Sequence, residues 1–569
     1  MKPLSIDPSL VPPLVLGALA TLAAPSALAQ APTVLLRQGD TVDVEGQPQT
    51  VTQIRHSATS ASDGHACSAR TTGPLGAIDL VWGALRGGAP ELLRAETEAS
   101  GLLQTSYDGF FELSADGVAH AAISQDVVTA QTGIHAAWLD GDAVARTGTP
   151  APGGKFWRTI EDVGATLDGR RWFRASLADA PGGSVSQRGL FVEDDFGNIV
   201  PVVLTGETYP NFPAELAQGA VAPTARFSSL RGRWIAPVWL NTNSSTSGAM
   251  IADSQGLVLG GTLVQEFSLI PPSVGGLGDR WDNFSWCGIN EAGEWFFCGD
   301  TFGVPSTEDD FICRNDGIWR RAGDEVDGET IVGEVVAAGL NGSGELAYVW
   351  SIEGPGGSAI EALFREDELI ARAGDAVDWD GDGALDPSAT LVDFHEGTLS
   401  IASSGDVFIV ARVDAGAGPR DAYVRFPRRI GTRYCAASTN FSGGPASISA
   451  HGSLDVVAND LTLRCSAMPQ QSFGFFLASQ TQGFAAQPGG SAGNLCLGGS
   501  IGRFQMSILN SGLGAVIELQ IDLTAIPQPG GPVAAAPGDT WNFSAWFRDA
   551  TPMGAPTSNF ADAVQVTFD

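Results

Sequence analysis

Internal repetition constrains this chain more than any other feature. A turn carrying glycine, followed by an apolar or aromatic strand, occurs seven times. The copies are SASDGHACSA at Gly64, LSADGVAHAAI at Gly117, TLDGRRWFRASL at Gly169 and SLRGRWIAPVWL at Gly232, then INEAGEWFFCG at Gly293, LNGSGELAYVW at Gly344 and IASSGDVFIVA at Gly405. Successive glycines lie 53, 52, 63, 61, 51 and 61 residues apart. Two further elements keep step with the first. One reads LLRQGD at Gly39, RRAGDE at Gly323 and IARAGD at Gly374; the other precedes it, as in FICRND from Phe311 and ALFRED from Ala362. The few turn residues between them give hairpin spacing.

A unit of about 50–60 residues with three or four strands is the size of a propeller blade. The sequence therefore predicts an all-β chain, with a seven-bladed β-propeller over residues 30–428 and a C-terminal β-sandwich over 429–569. The phase of the repeats predicts closure as well. The first strand, Val34 to Arg37, has no local hairpin partner, and neither has the last, Tyr423 to Phe426. Pairing the two closes the ring and removes two open sheet edges. A β-solenoid would leave them far apart.

Composition narrows the function classes. Lys+Arg 31 against Asp+Glu 64 gives a net charge of −33. That field repels phosphate backbones and anionic lipid, so no nucleic-acid partner is expected. Residues 1–29 read as a signal peptide: Lys2, an apolar run from Leu14 to Ala24, then Ala27-Leu28-Ala29 as the cleavage site. No later stretch is apolar for 18 residues, so no membrane span is expected in the mature chain. The localisation expected is export, to the periplasm, the cell surface or the medium.

The [N/S]-x-x-G-x-[A/W]-F strands alternating with R-x-G-D segments resemble the secreted bacterial tandem-repeat proteins known by their NxxGxxAF motif and choice-of-anchor regions. The resemblance covers about residues 33–426, and Asn290 and Asn341 alone keep the family asparagine. It implies a propeller-like exported protein with no established chemistry. The C-terminal region, with Tyr434-Cys435, Leu495-Cys496 and Trp546-Phe547-Arg548-Asp549, is similar to a module that ends exported bacterial surface proteins. That likeness implies display or attachment.

Two sets of residues are candidates for a site. DWDGDGALD offers Asp378, Asp380 and Asp382 as side-chain oxygens, the Ala384 carbonyl, and Asp386 as a closing carboxylate. Alternate oxygen ligands with a glycine at the sharp turn suit Ca2+, here in a structural role. A solvated acidic turn is the other reading. Seven cysteines in an exported chain invite disulfides. Cys287 and Cys298 are symmetric about a turn centred between Ala292 and Gly293, and Cys435–Cys496 is the preferred pair in the C-terminal region.

No catalytic residue is assigned. Gly489-Gly490-Ser491-Ala492-Gly493 matches a nucleophile elbow only in letters, since it lies in a turn-rich loop. The acidic runs Glu193-Asp194-Asp195 and Glu308-Asp309-Asp310 sit in connectors. Aromatics locked to the repeat, from Trp172 to Phe408, are expected to pack between blades. The expected function is a non-catalytic surface or extracellular protein that binds a glycan, an envelope polymer or another protein. An extracellular polysaccharide-acting enzyme with its active site on the channel is the alternative.

Overall fold

Strands in the repeat region form because apolar residues run almost unbroken through short segments bounded by glycine turns. A computed structural model describes residues 31–568, apart from short internal stretches such as 166–169, 228–232 and 383–384. The signal-peptide reading lies outside the described residues. Among them, strands make up an all-β chain and no helix is long and apolar enough to cross a membrane.

From Thr33 to Phe426 the strands pair with their sequence neighbours into antiparallel sheets. In the first, Gln47–Thr59, His65–Gly73, Gly76–Ala84 and Glu91–Ala95 follow one another across the sheet. The same meander recurs until the sheet built on Asp386–Phe394, Val407–Asp414 and Pro419–Phe426. Seven sheets of four to six strands result among the described residues, with a two-stranded ribbon, Val258–Leu259 with Thr262–Leu263, after the fourth.

Adjacent sheets face one another across apolar clusters. Ala58, Ala66 and Val81 of the first sheet meet Phe111 and Leu113 of the second. Trp172 and Leu190 of the third meet Trp234 and Ile251 of the fourth. Phe296 and Cys298 turn toward Tyr348 and Trp350 of the sixth sheet, whereas Phe297 turns back toward Ile235 of the fourth. Neighbouring residues on one strand thus serve opposite interfaces, which is why these strands read as continuous hydrophobic runs.

Closure is direct. Thr33–Arg37 pairs antiparallel with Pro419–Phe426, Val34 opposite Val424 and Leu36 opposite Tyr423. Leu36, Cys67 and Leu80 pack with Phe408, Val410 and Tyr423 in a cluster shared by the first and seventh sheets. The arrangement is propeller-like.

The R-x-G-D element is the joint between one sheet and the next. In three copies the aspartate accepts the arginine N–H: Asp40 from Arg37 (2.9 Å), Asp324 from Arg321 (2.9 Å) and Asp375 from Arg372 (3.0 Å). The glycine, at φ between 94° and 101°, donates its own N–H into the innermost strand of the following sheet. Gly39 reaches the Val51 carbonyl, Gly323 that of Ile331 and Gly374 that of Leu391, each at 2.8 Å. Positive φ explains the residue type.

Beyond Phe426 two antiparallel sheets share one core. Ile448, Leu463 and Ile517 of one pack against Phe476, Trp541 and Val564 of the other. Pairing here is non-local: Thr432 lies opposite Gln565 and Arg433 opposite Val564.

Candidate functional site

Where the innermost strands converge they enclose a cavity of about 240 Å³. Six of the seven sheets line it, through segments such as His56–Ser60, Phe111–Leu113, Trp286–Asn290 and Ala338–Gly342. The corresponding turn of the fourth sheet, residues 228–232, lies outside the described residues.

The glycine turns at the rim are built by asparagine where it is present. Asn341 Oδ1 accepts the N–H groups of Glu345 (2.9 Å) and Ser343 (3.1 Å). Its Nδ2 donates to Glu345 Oε2 (3.0 Å) and to the Ala402 carbonyl of the next repeat (3.1 Å). Asn290 does the same for Glu294 N–H (2.9 Å) and reaches the Gly342 carbonyl at 3.4 Å. Both asparagines are buried, and the carboxamide makes three hydrogen bonds in Asn290 and five in Asn341. They join one repeat to the next. At the closing seam hydroxyls take over: Ser57 Oγ and Ser400 Oγ lie 2.5 Å apart, and Thr59 Oγ1 donates to the Ile401 carbonyl at 3.1 Å.

The lining carries little charge. Among its described residues Glu112 is the one carboxylate, His56 the one imidazole, and neither lysine nor arginine contributes. Trp286 is the largest aromatic there. Its Nε1 donates to the Val335 carbonyl at 3.2 Å, and a Cβ added at Gly397 would stand 2.6 Å from its Cη2. The indole is therefore held at both ends.

The acidic loop sits elsewhere, against the closing strand. Asp378, Asp380 and Asp382 each bring a carboxylate oxygen within 4.8 Å of the others. Asp378 is fully buried, donates its N–H to the Pro32 carbonyl (2.8 Å) and accepts Val34 N–H at its own carbonyl (3.0 Å). Its Oδ1 accepts Gly381 N–H at 2.8 Å. Asp386 does not join the other three; its Oδ2 accepts Trp379 N–H at 2.8 Å. Ala384 lies outside the described residues. From the C-terminal unit, Glu518 feels the Asp378 charge: burial raises its carboxyl, Arg464 lowers it, and Asp378 raises it again.

Cys435 and Cys496 form a disulfide spanning 61 residues. Cys287 and Cys298 do not; both keep their thiols and are buried. The turn is centred one half-residue earlier than symmetry of the two cysteines requires. Cys287 lies opposite Phe297, not Cys298, and the loop runs from Asn290 to Glu294. A slip of one residue changes the face, so Cys287 joins the cluster toward the fourth sheet and Cys298 that toward the sixth.

The remaining candidates resolve as packing or pairing. Ser491 is buried and its hydroxyl donates to the Ser558 carbonyl at 2.8 Å. Glu193 is buried against Arg171, whose Nε lies 2.8 Å from Oε2, so this carboxylate is a structural ion-pair member and not a solvated one. Asp195 lies outside the described residues. Asp310, half-buried beside Asp309, Asp300 and Glu334, is pushed up to about 7, first by burial and then by those like charges. The repeat aromatics fill sheet interfaces: Trp172 and Trp234, Tyr348 and Trp350, and Phe408.

No protein-family model matches the chain, and no curated protein does. Solved structures do. The Dos1 propeller is 10% identical over 67% of this chain and 80% of its own, with a TM-score of 0.28. An α-L-arabinanase of Penicillium chrysogenum, solved with arabinobiose, is 12% identical over 69% and 98%, at 0.27. A puromycin-hydrolyzing peptidase of Mycobacterium tuberculosis is 16% identical over 74% of this chain, at 0.31, and this chain spans only 61% of its length. Likenesses this distant carry no argument about chemistry.

The cavity-lining strands are what sequence reading missed. Their polar residues and irregular register hide the period of two; the only hint was the spacing left between the R-x-G-D element and each glycine turn.

Proposed function

We propose that this is an exported, non-catalytic binding protein whose seven sheets are the blades of a β-propeller, with a C-terminal β-sandwich that tethers or displays it. One observation carries the reading: residues from six sheets converge on a cavity that offers neutral hydrogen-bonding groups and one anchored indole. General acid–base hydrolysis of a glycan uses two carboxylates facing across the bond to be broken, and Glu112 is the single carboxylate among the described lining residues. The ligand classes that fit export and a net charge of −33 are a glycan, an envelope polymer or a protein.

The second part of the proposal is structural Ca2+ held by Asp378, Asp380 and Asp382. Three carboxylates this close repel one another, and a hard cation relieves the repulsion. Because Asp378 is bonded through its backbone to Pro32 and Val34, an ion there would fasten the closing strand. The test is binding of the mature chain, residues 30–569, to an array of glycans and envelope polymers, with calcium and with chelator. Bound ligand recovered at its original length is the expected result. Ligand shortened after incubation would replace this reading with a polysaccharide-acting enzyme working at the channel.

A further inference from the structure

Resting on the binding reading, we propose that the cavity takes one ring of a neutral, hydroxyl-rich sugar, stacked on Trp286. Size, charge and hydrogen-bonding capacity point the same way. About 240 Å³ is below the usual range for drug-sized ligands, roughly 300–1,000 Å³, and suits a single small ring or the end of a chain. Charge weighs against acidic sugars. A carboxylate or sulfate placed there would lose its hydration and meet the Glu112 carboxylate. The surrounding protein, at −33, adds to the repulsion.

Hydroxyl groups are what the walls can satisfy. The Ser57 and Ser400 hydroxyls are bonded to one another at 2.5 Å, and Ser57 Oγ also donates to the Phe408 carbonyl at 3.3 Å. A hydroxyl has one donor and two lone pairs, so this pair keeps accepting capacity toward the cavity. Ring hydroxyls both donate and accept, which matches such a wall better than an apolar ligand would. An aromatic face then supplies the apolar contact that a pyranose or furanose needs on its C–H side. Trp286 is suited to that because the Val335 carbonyl and the tight approach of Gly397 fix its plane before ligand arrives, which lowers the ordering cost of binding.

The test uses the mature chain, residues 30–569, and a set of soluble probes: methyl glycosides of glucose, galactose, arabinose and N-acetylglucosamine, with glucuronate and sialic acid as anionic counterparts. Calorimetric titration and saturation-transfer NMR read the binding, and chromatography of the recovered sugar reads turnover. At least one neutral probe should bind in the millimolar range, and the anions should not. Gly342→Leu is the discriminating variant. Gly342 lines the cavity at ordinary φ, and a Cβ added there meets nothing within 4 Å, so a leucine fills the space without displacing the fold. It should weaken the neutral probe about tenfold or more with an unchanged melting curve. Trp286→Ala should weaken it as much, but with a lowered melting temperature, because the indole also packs against the cluster between the fifth and sixth sheets.

Neutral sugar bound equally by wild type and Gly342→Leu places the site elsewhere and overturns this inference, while leaving the binding reading intact. Anionic probes binding as well as neutral ones, or no probe binding, overturns it too. A probe cleaved in the course of the titration overturns the non-catalytic reading instead.

Discussion

The repeat region and the C-terminal unit are both antiparallel β structures, yet they are held together by opposite means. In the repeats, nearly every strand pairs with the next in sequence, and one long-range pairing, Thr33–Arg37 on Pro419–Phe426, completes the set. In the C-terminal unit strands far apart in sequence pair: Thr432–Tyr434 with Pro556–Thr567, and Phe473–Ser479 with Thr540–Ala550. Local pairing costs little loop entropy, whereas distant pairing costs more and gains more from a covalent tie. The disulfide lies where that reasoning places it. The five remaining cysteines, four of them in the repeats, keep their thiols and are buried.

The comparison breaks most visibly if the tie is removed. With Cys435 and Cys496 61 positions apart in sequence, a chain-entropy argument gives about 4 kcal/mol for the bridge. Cys435→Ser/Cys496→Ser should lose most of the C-terminal unit's stability in a denaturant titration, while the repeat region unfolds at its usual midpoint. Cys287→Ser should leave the non-reducing stability of the C-terminal unit unchanged. If the double variant melts as one transition with wild type, the two regions do not differ in this way.

The repeat region has its own weak point at the seam, and acid should find it. His65 stacks on Phe408 of the seventh sheet, centroids 4.4 Å apart, and is largely buried. Burial, helped by Arg425 and opposed by Asp406, holds its imidazole down at about 4, against 6.5 for an exposed one. The unfolded chain therefore takes up this proton first as pH falls. Stability is complete above about 6.5 and is lost toward pH 4, by about 3 kcal/mol from this group. His120, at about 3, adds to the same slope. Asp310 runs the other way, since its folded form keeps a proton up to about 7 and its contribution is lost as pH rises through that value. Melting temperatures from pH 4 to 7 should show the acid loss, and His65→Phe should flatten it; an unchanged slope in that variant would acquit the seam.

What could be read from the sequence follows the same division. The three outer elements of each repeat were legible because strands buried on both faces are continuous apolar runs, and the closing pair was legible from phase alone. The innermost strands were not. Gln47–Thr59 slips register between Val51 and Gln53 and again between Ile54 and Ser57. Glu329–Leu340 slips between Val332 and Val335 and between Val335 and Ala337. Each bulge inverts the alternation that marks a strand, so the segments that line the cavity were the ones that pattern could not find. The acidic loop was legible as a motif; Asp378, Asp380 and Asp382 cluster, while Asp386 Oδ2 accepts the Trp379 N–H. The cysteine pair at 287 and 298 failed because the turn is centred half a residue earlier, which sets Cys287 opposite Phe297 and leaves Cys298 on the other face.

A third experiment separates asparagine-built turns from those without it. Removing the Asn341 carboxamide strands the Glu345 N–H of its own turn and takes one of two donors from the Ala402 carbonyl of the next repeat, which keeps the Gly405 N–H. Asn341→Ala should cost about 2 kcal/mol. Asn290→Ala should cost less, because its reach to Gly342 is the longer bond at 3.4 Å. The opposite order, measured by denaturant midpoint, would mean that joining repeats matters less than capping the local turn.

The smallest effect belongs to the R-x-G-D joint. Asp375 caps the Arg372 N–H from an exposed position, so Asp375→Ala gives up one hydrogen bond that water largely replaces, about 0.5–1 kcal/mol. Asp324→Ala should cost more, since the Arg321 it caps is itself buried and paired to Asp279 at 2.7 Å. The joint is thus cheap to lose singly and dear only in sum. A repeat architecture distributes its stability over many equivalent small bonds, where the C-terminal unit concentrates its own in one bridge. Should Asp375→Ala alone cost as much as opening the disulfide, stability in the repeats is not distributed, and the contrast between the two regions falls with it.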